Sequence, residues 1–145
     1  PIIGSWPSSG GSEAAVPPSA EEGDPPFISL DEAAALFQTR GVIFIDARDP
    51  EDYALNHIKG AISIPYDYLP EDNLDEFWAD LTLKIPNSSQ LVIYCSGSEC
   101  ELSLFLGRDM IQRGYTDIKI FYGGWSDWEK AALPTEEGNQ IDRMQ

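Results

Sequence analysis

The chain carries two cysteines, and both fall in one stretch, LVIYCSGSECELSLFLGRDMIQRG, residues 91–114. Cys95 ends a run of β-formers, Ser96, Gly97 and Ser98 supply a turn, and a helical pattern begins at about Cys100. That order makes an anion cradle. Small residues let the backbone curl so that successive N–H groups point inward, and the helix adds its free N–H groups and the positive end of its dipole. A thiolate or persulfide at Cys95 is then stabilised without a charged side chain, although the flanking residues are Glu99 and Glu101. The bland alternative is a strand-end cysteine that only packs, since free Cys is among the most buried residue types. Cys100 also has two readings. It is either a thiol that resolves a persulfide by forming a disulfide, which needs Cα atoms within roughly 7 Å, or a small helix-start residue facing the core.

Other chemistries are poorly supplied. One histidine, His57, and two cysteines are too few for a structural zinc site, so neither a metal nor another cofactor is expected. Two cysteines are also too few for a disulfide scaffold. A formal net charge of -16 argues against nucleic acid and acidic membrane surfaces as partners, and favours a monomer at low concentration. No apolar run approaches the roughly 20 residues of a membrane span, and no basic n-region with an apolar core marks a signal peptide. Pro1 in place of an initiating Met is read as a processed or excised start, with anything upstream, a membrane anchor included, outside this sequence.

The elements that must position Cys95 follow from periodicity. With 42% hydrophobic residues, the chain suits one domain plus a tail. Residues 1–26 are rich in Pro, Gly, Ser and acids and read as a loose linker, in which Trp6 and the Ile2–Ile3 pair are the side chains that could dock. The domain is expected over 27–138, with a short tail at 139–145. Ser29 and Glu32 fit a capping box ahead of a helix that Gly41 stops. VIFID (42–46), AISIP (61–65), LVIYC (91–95) and IKIFY (118–122) read as short strands. Between them lie a short helix from Pro50, an amphipathic helix presenting Leu74, Phe77, Trp78 and Leu81, a helix from about Cys100 to Arg113, and a last one in GGWSDWEKA. Strands alternating with helices predict an α/β domain with a mainly parallel sheet, whose sites form beyond the carboxyl ends of the strands.

Three segments together resemble the rhodanese family of sulfurtransferase domains. FIDARDPEDYALNHIKGAISIP is similar to the family's Asp-x-Arg…Glu-x-Tyr…His-Ile-x-Gly-Ala…Ile-Pro pattern. VIYCSGSECELS stands at the place of its cysteine loop, and FYGGWSDWEKAALP is similar to its closing Gly-Gly-x-x-x-Trp signature. The likeness covers roughly 28–135. It implies a five-stranded parallel sheet between helices and a two-step reaction. Cys95 takes a sulfane sulfur as a persulfide and passes it to a nucleophilic acceptor, while residues 96–100 form the loop whose amides hold the charge. By position, Asp46 is expected to bond neighbouring backbone. Arg48 is expected to edge the pocket or to pair with Asp49, Glu51 or Asp52. His57 is expected to organise a turn, and Trp125 and Trp128 to pack the core or wall the pocket.

The loop departs from the family pattern. Classical thiosulfate sulfurtransferases carry Arg or Lys there, and this loop has Glu99 and Glu101 instead, so a small-molecule or protein persulfide is expected as donor rather than thiosulfate. The Cys-x5-Arg of related phosphatases is absent because Glu101 occupies the arginine position, which excludes phosphatase chemistry. Loops of the CSGxxCELS type also resemble a subgroup in which the domain accompanies a membrane module of the DoxX/MauE kind. That likeness would make the start a linker from an anchor and let the domain face the periplasm; the compartment otherwise stays open between the cytoplasm and a membrane-tethered periplasmic position. Three functions stay open: a persulfide-forming sulfurtransferase, a dithiol redox or sulfur relay using Cys95 and Cys100 on a partner protein, and a catalytically silent interaction module.

Overall fold

The computed structural model describes residues 13–139; Ile2, Ile3, Trp6 and the tail beyond residue 139 lie outside the described residues. Helix α1 (Leu30–Phe37) opens with the expected reciprocal cap, in which Glu32 N–H donates to Ser29 Oγ and Ser29 N–H to the Glu32 carboxylate. There follow β1 (Val42–Asp46), α2 (Pro50–Leu55), β2 (His57–Ile58), β3 (Ile62–Ser63), a 3-10 turn at Tyr66–Tyr68 and α3 (Leu74–Lys84). The chain continues through β4 (Gln90–Tyr94), α4 (Leu102–Gln112), β5 (Asp117–Phe121), α5 (Gly124–Lys130) and β6 (Thr135–Glu136).

Four strands form a parallel sheet in the order β3-β1-β4-β5. The expected fifth strand is reduced to a single parallel bridge between Phe27 and Ile120. Pro25 and Pro26 precede it without backbone donors, and Ser29 just after it already caps α1, which leaves too little chain for a ladder. AISIP pairs only through Ile62–Ser63, ahead of Pro65. The helix expected from about Cys100 starts at Leu102, because the Cys100 amide is held in the turn by Gly97 O at 2.9 Å. A second ladder went unread: β2 pairs antiparallel with β6, two residues each, too short for any alternation to register.

Register sets the site. Asp46, Tyr94 and Phe121 stand level across β1, β4 and β5, so the turns after all three strands open on one edge. One face of the sheet buries Ile45, Ile93, Cys95 and Ile120 against Trp78 of α3 and Leu106 and Met110 of α4. The other buries Phe44, Val92, Tyr94 and Phe121 against Ala33, Tyr53 and Trp128 from α1, α2 and α5. The last part of the stretch expected to be a loose linker lies on the domain. Pro17 and Pro25 are buried, Arg108 forks onto Asp24 at 2.8 and 3.0 Å, and Arg108 Nη2 donates to Ser19 O.

Candidate active site

Cys95 is the first residue beyond β4 and is fully buried, with its Sγ beneath the start of α4. Its sulfur lies 3.7 Å from Ser103 Oγ and 3.0 Å from Cys100 O. The structure joins Cys95 to Cys100 as a disulfide across a Cα–Cα distance of 6.3 Å, so Cys100 faces the strand-end cysteine and not the core alone.

Three bonds clamp the loop from the next element. Trp125 N–H donates to Cys95 O at 2.8 Å, Ser126 N–H to Ser96 O at 2.9 Å, and the Tyr122 hydroxyl to Ser98 O. The carbonyls are therefore turned toward α5. Among the described residues the amides of Ser96, Gly97, Ser98 and Glu99 have no protein acceptor, and no side chain caps the amino end of α4. Free backbone donors in a turn and at a helix start are groups that can bind an anion. Burial first, and then the charges of Glu101 and Glu99, raise the Tyr122 pKa, so the phenol stays protonated and able to hold Ser98. Both carboxylates thus act on the phenol that holds Ser98 O.

Asp46 is fully buried and accepts from the Arg48 amide at 2.9 Å, from Arg48 Nε and Nη2, and from the Tyr94 hydroxyl at 2.7 Å. Arg48 thus pairs with Asp46 and not with Asp49, Glu51 or Asp52. Its remaining bond goes to Asn56 O at 2.7 Å, and its guanidinium lies 4.9 Å from the Trp125 ring centroid. Burial alone would lower the Arg48 pKa, but the hydrogen bonds and charge of Asp46 outweigh it and raise it. Tyr94 is pushed well above the ordinary tyrosine value, by burial first and then by Asp46, so it stays a donor. Arg48, Trp125 and Ser96 line one cleft of about 400 Å³ together with Asp52, Leu55, Asn56 and Glu129.

His57 lies elsewhere, in the β2–β6 corner. It is stacked on Tyr53, with Nδ1 2.7 Å from Tyr53 O and Nε2 3.3 Å from Glu136. Trp128 is core, ringed by Phe37, Phe44 and Phe121 and donating to Pro134 O. Cys95 thus stands at a strand end, under a helix start, in a loop with free amides. A family model described as Rhodanese-like domain matches residues 29–131.

The chain belongs to the rhodanese-like domain family. This rhodanese-like domain is 29% identical over 97 residues to Thiosulfate sulfurtransferase 16, chloroplastic, of Arabidopsis thaliana, covering 64% of this chain and 78% of that protein. It is 28% identical over 110 residues to Thiosulfate sulfurtransferase GlpE of Pseudomonas fluorescens, covering 74% and 90%. It spans only 54% of Rhodanese-like domain-containing protein 15, chloroplastic, of Arabidopsis thaliana, at 25% identity. The solved structure of the BH2092 protein from Bacillus halodurans superposes with a TM-score of 0.60 at 28% identity, covering 74% of this chain and 72% of that one. These relatives support sulfur transfer as the general class of reaction. Sequence reasoning did not single out Ser103, Tyr94 and Tyr122 as members of the site. Ser103 was within reach, as a serine in the first turn of the helix that follows the cysteine.

Proposed function

We propose that the domain is a sulfurtransferase whose Cys95 thiolate attacks the outer sulfur of a persulfide donor. The donor's S–S bond breaks, a thiolate leaves, and Cys95 carries a persulfide for transfer to a thiol or another nucleophile. The observation that carries this reading is the position of Cys95, buried at the end of β4 under the uncapped start of α4, in a loop where the Ser96, Gly97, Ser98 and Glu99 amides, though not that of Cys100, lack protein acceptors among the described residues. Thiosulfate is the poorer donor. It is a dianion, and Glu99 and Glu101 flank the loop, while Arg48 is committed to Asp46 and Asn56.

The test is intact-protein mass spectrometry of the reduced Cys100→Ser protein, incubated separately with glutathione persulfide and with thiosulfate. The expected result is a gain of one sulfur atom from glutathione persulfide, a smaller yield from thiosulfate, and no gain in the Cys95→Ser/Cys100→Ser double variant. No gain from either donor would remove the reading.

A further inference from the structure

The pairing of the two cysteines is not needed for sulfur transfer to an outside acceptor. The loop nevertheless holds them at a Cα–Cα distance of 6.3 Å, inside the roughly 4.4–6.8 Å range of disulfides. It does so with its own bonds in place. The Cys100 amide donates to Gly97 O, while Trp125, Ser126 and Tyr122 hold Cys95 O, Ser96 O and Ser98 O. The two thiols also differ in access, since Cys95 is fully buried and Cys100 is half-buried.

We infer that Cys100 is the resolving thiol of a sulfide-releasing reaction, and that the resulting disulfide is opened by a dithiol attacking Cys100. The inference rests on persulfide formation at Cys95. The Cys100 thiolate, formed by loss of its proton to solvent, attacks Cys95 Sγ. The bond between Sγ and the outer sulfur breaks, hydrosulfide leaves with that electron pair, and the Cys95–Cys100 disulfide forms. The sulfane sulfur is reduced to sulfide, and the two protein thiols are together oxidised by two electrons. The reductant is a small or protein dithiol. One of its thiolates attacks Cys100 Sγ, Cys95 leaves as thiolate, and the second dithiol sulfur displaces Cys100, so that the reductant ends as a disulfide.

The order follows from the site. A reductant approaching from solvent meets the half-buried Cys100, while the leaving Cys95 thiolate is the one beside the Ser103 hydroxyl at the uncapped start of α4. Attack on Cys95 would instead expel a thiolate placed between Glu99 and Glu101. The partner reactions are thereby set by class: one that supplies a low-molecular-weight or protein persulfide, and one that regenerates dithiols.

The test loads the fully reduced 145-residue chain with one equivalent of glutathione persulfide, without other thiol, and follows sulfide release and protein mass. The expected result is about one equivalent of sulfide and a protein lighter by two hydrogens, while Cys100→Ser keeps the added sulfur and releases no sulfide. If wild type and Cys100→Ser both hold a persisting persulfide, resolution by Cys100 is overturned while transfer at Cys95 stands. If neither takes up sulfur, the underlying transfer reading fails. In a second arm, glutathione is added to the disulfide form and the trapped mixed disulfide is mapped by peptide mass. Glutathione on Cys100 is expected, and glutathione on Cys95 would overturn the order of attack.

Discussion

Ser103 is fully buried in the first turn of α4, with its hydroxyl oxygen 3.7 Å from Cys95 Sγ, and it is the only side-chain hydroxyl in hydrogen-bond contact with that sulfur among the described residues. A hydroxyl there donates to a thiolate but does little for a thiol, so it shifts the balance toward the reactive form. Its loss should cost about 1 kcal/mol of thiolate stabilisation, or about fivefold in thiolate fraction at neutral pH. In the Cys100→Ser background, Ser103→Ala should therefore move the pH profile of Cys95 alkylation upward while the folded stability measured by urea unfolding changes little. An unmoved profile would assign Ser103 to packing alone. The residue-scale contrast is Arg48. It is positively charged and lines the cleft, yet its guanidinium is taken up by Asp46, Asn56 O and the Trp125 face, so it shapes the wall and holds β1 to α2.

At the scale of elements, the junction of β5 and α5 sets the cysteine loop. Gly124 has φ +60°, and a Cβ there would run into the Cys95 carbonyl oxygen that Trp125 N–H binds. Gly124→Ala should destabilise the domain by roughly 1–3 kcal/mol through the left-handed backbone and should also cut persulfide formation, because the loop must shift to clear the methyl group. Thermal unfolding and single-turnover loading read the two effects; full loading rates in a destabilised protein would break the link to the loop. Residues 17–26 form a second such junction. Asp24 has its pKa lowered, chiefly by its hydrogen bonds from Arg108, with burial opposing. A depressed carboxylate pKa adds stability above the unfolded value of about 3.9, and that contribution is lost as pH falls through the lower folded value. Amide exchange should thus find residues 17–26 protected on α4 at neutral pH, and Asp24→Asn should loosen them there. Equal protection in the variant would assign the contact to Pro17 and Pro25. The sequence showed where Cys95, α1 and the β1–β4–β5 strands lie, because caps and apolar runs are local signals. It did not show the docking of 17–26, since that depends on one arginine about 84 residues away in the chain. Nor did it show β2–β6, where two-residue strands carry no period.

At the scale of the whole molecule, the fold class was legible because three ordered motifs and four strand–helix alternations point the same way, whereas which side chains share the cleft depends on how the turns at one sheet edge are stacked. Net charge belongs to this scale. The chain carries 25 acidic residues against 9 basic ones, and of the seven residues lining the Arg48 cleft two, Asp52 and Glu129, are acidic while the single base is already paired. An anionic donor therefore approaches against the field of the molecule as well as that of Glu99 and Glu101. The field reaches about 30 Å at 0.01 M salt and about 8 Å at 0.15 M. For thiosulfate, kcat/KM should rise by about tenfold over that range, the reverse of the fall seen when a site attracts its substrate. The Glu99→Gln/Glu101→Gln variant separates the local from the global contribution. If the loop carboxylates govern entry, thiosulfate is used faster at low salt and most of the salt dependence disappears. If that dependence persists at full size, repulsion comes from the acidic surface as a whole. A rate that falls with added salt would mean that a cationic path to Cys95 exists and would reverse the argument against thiosulfate as donor.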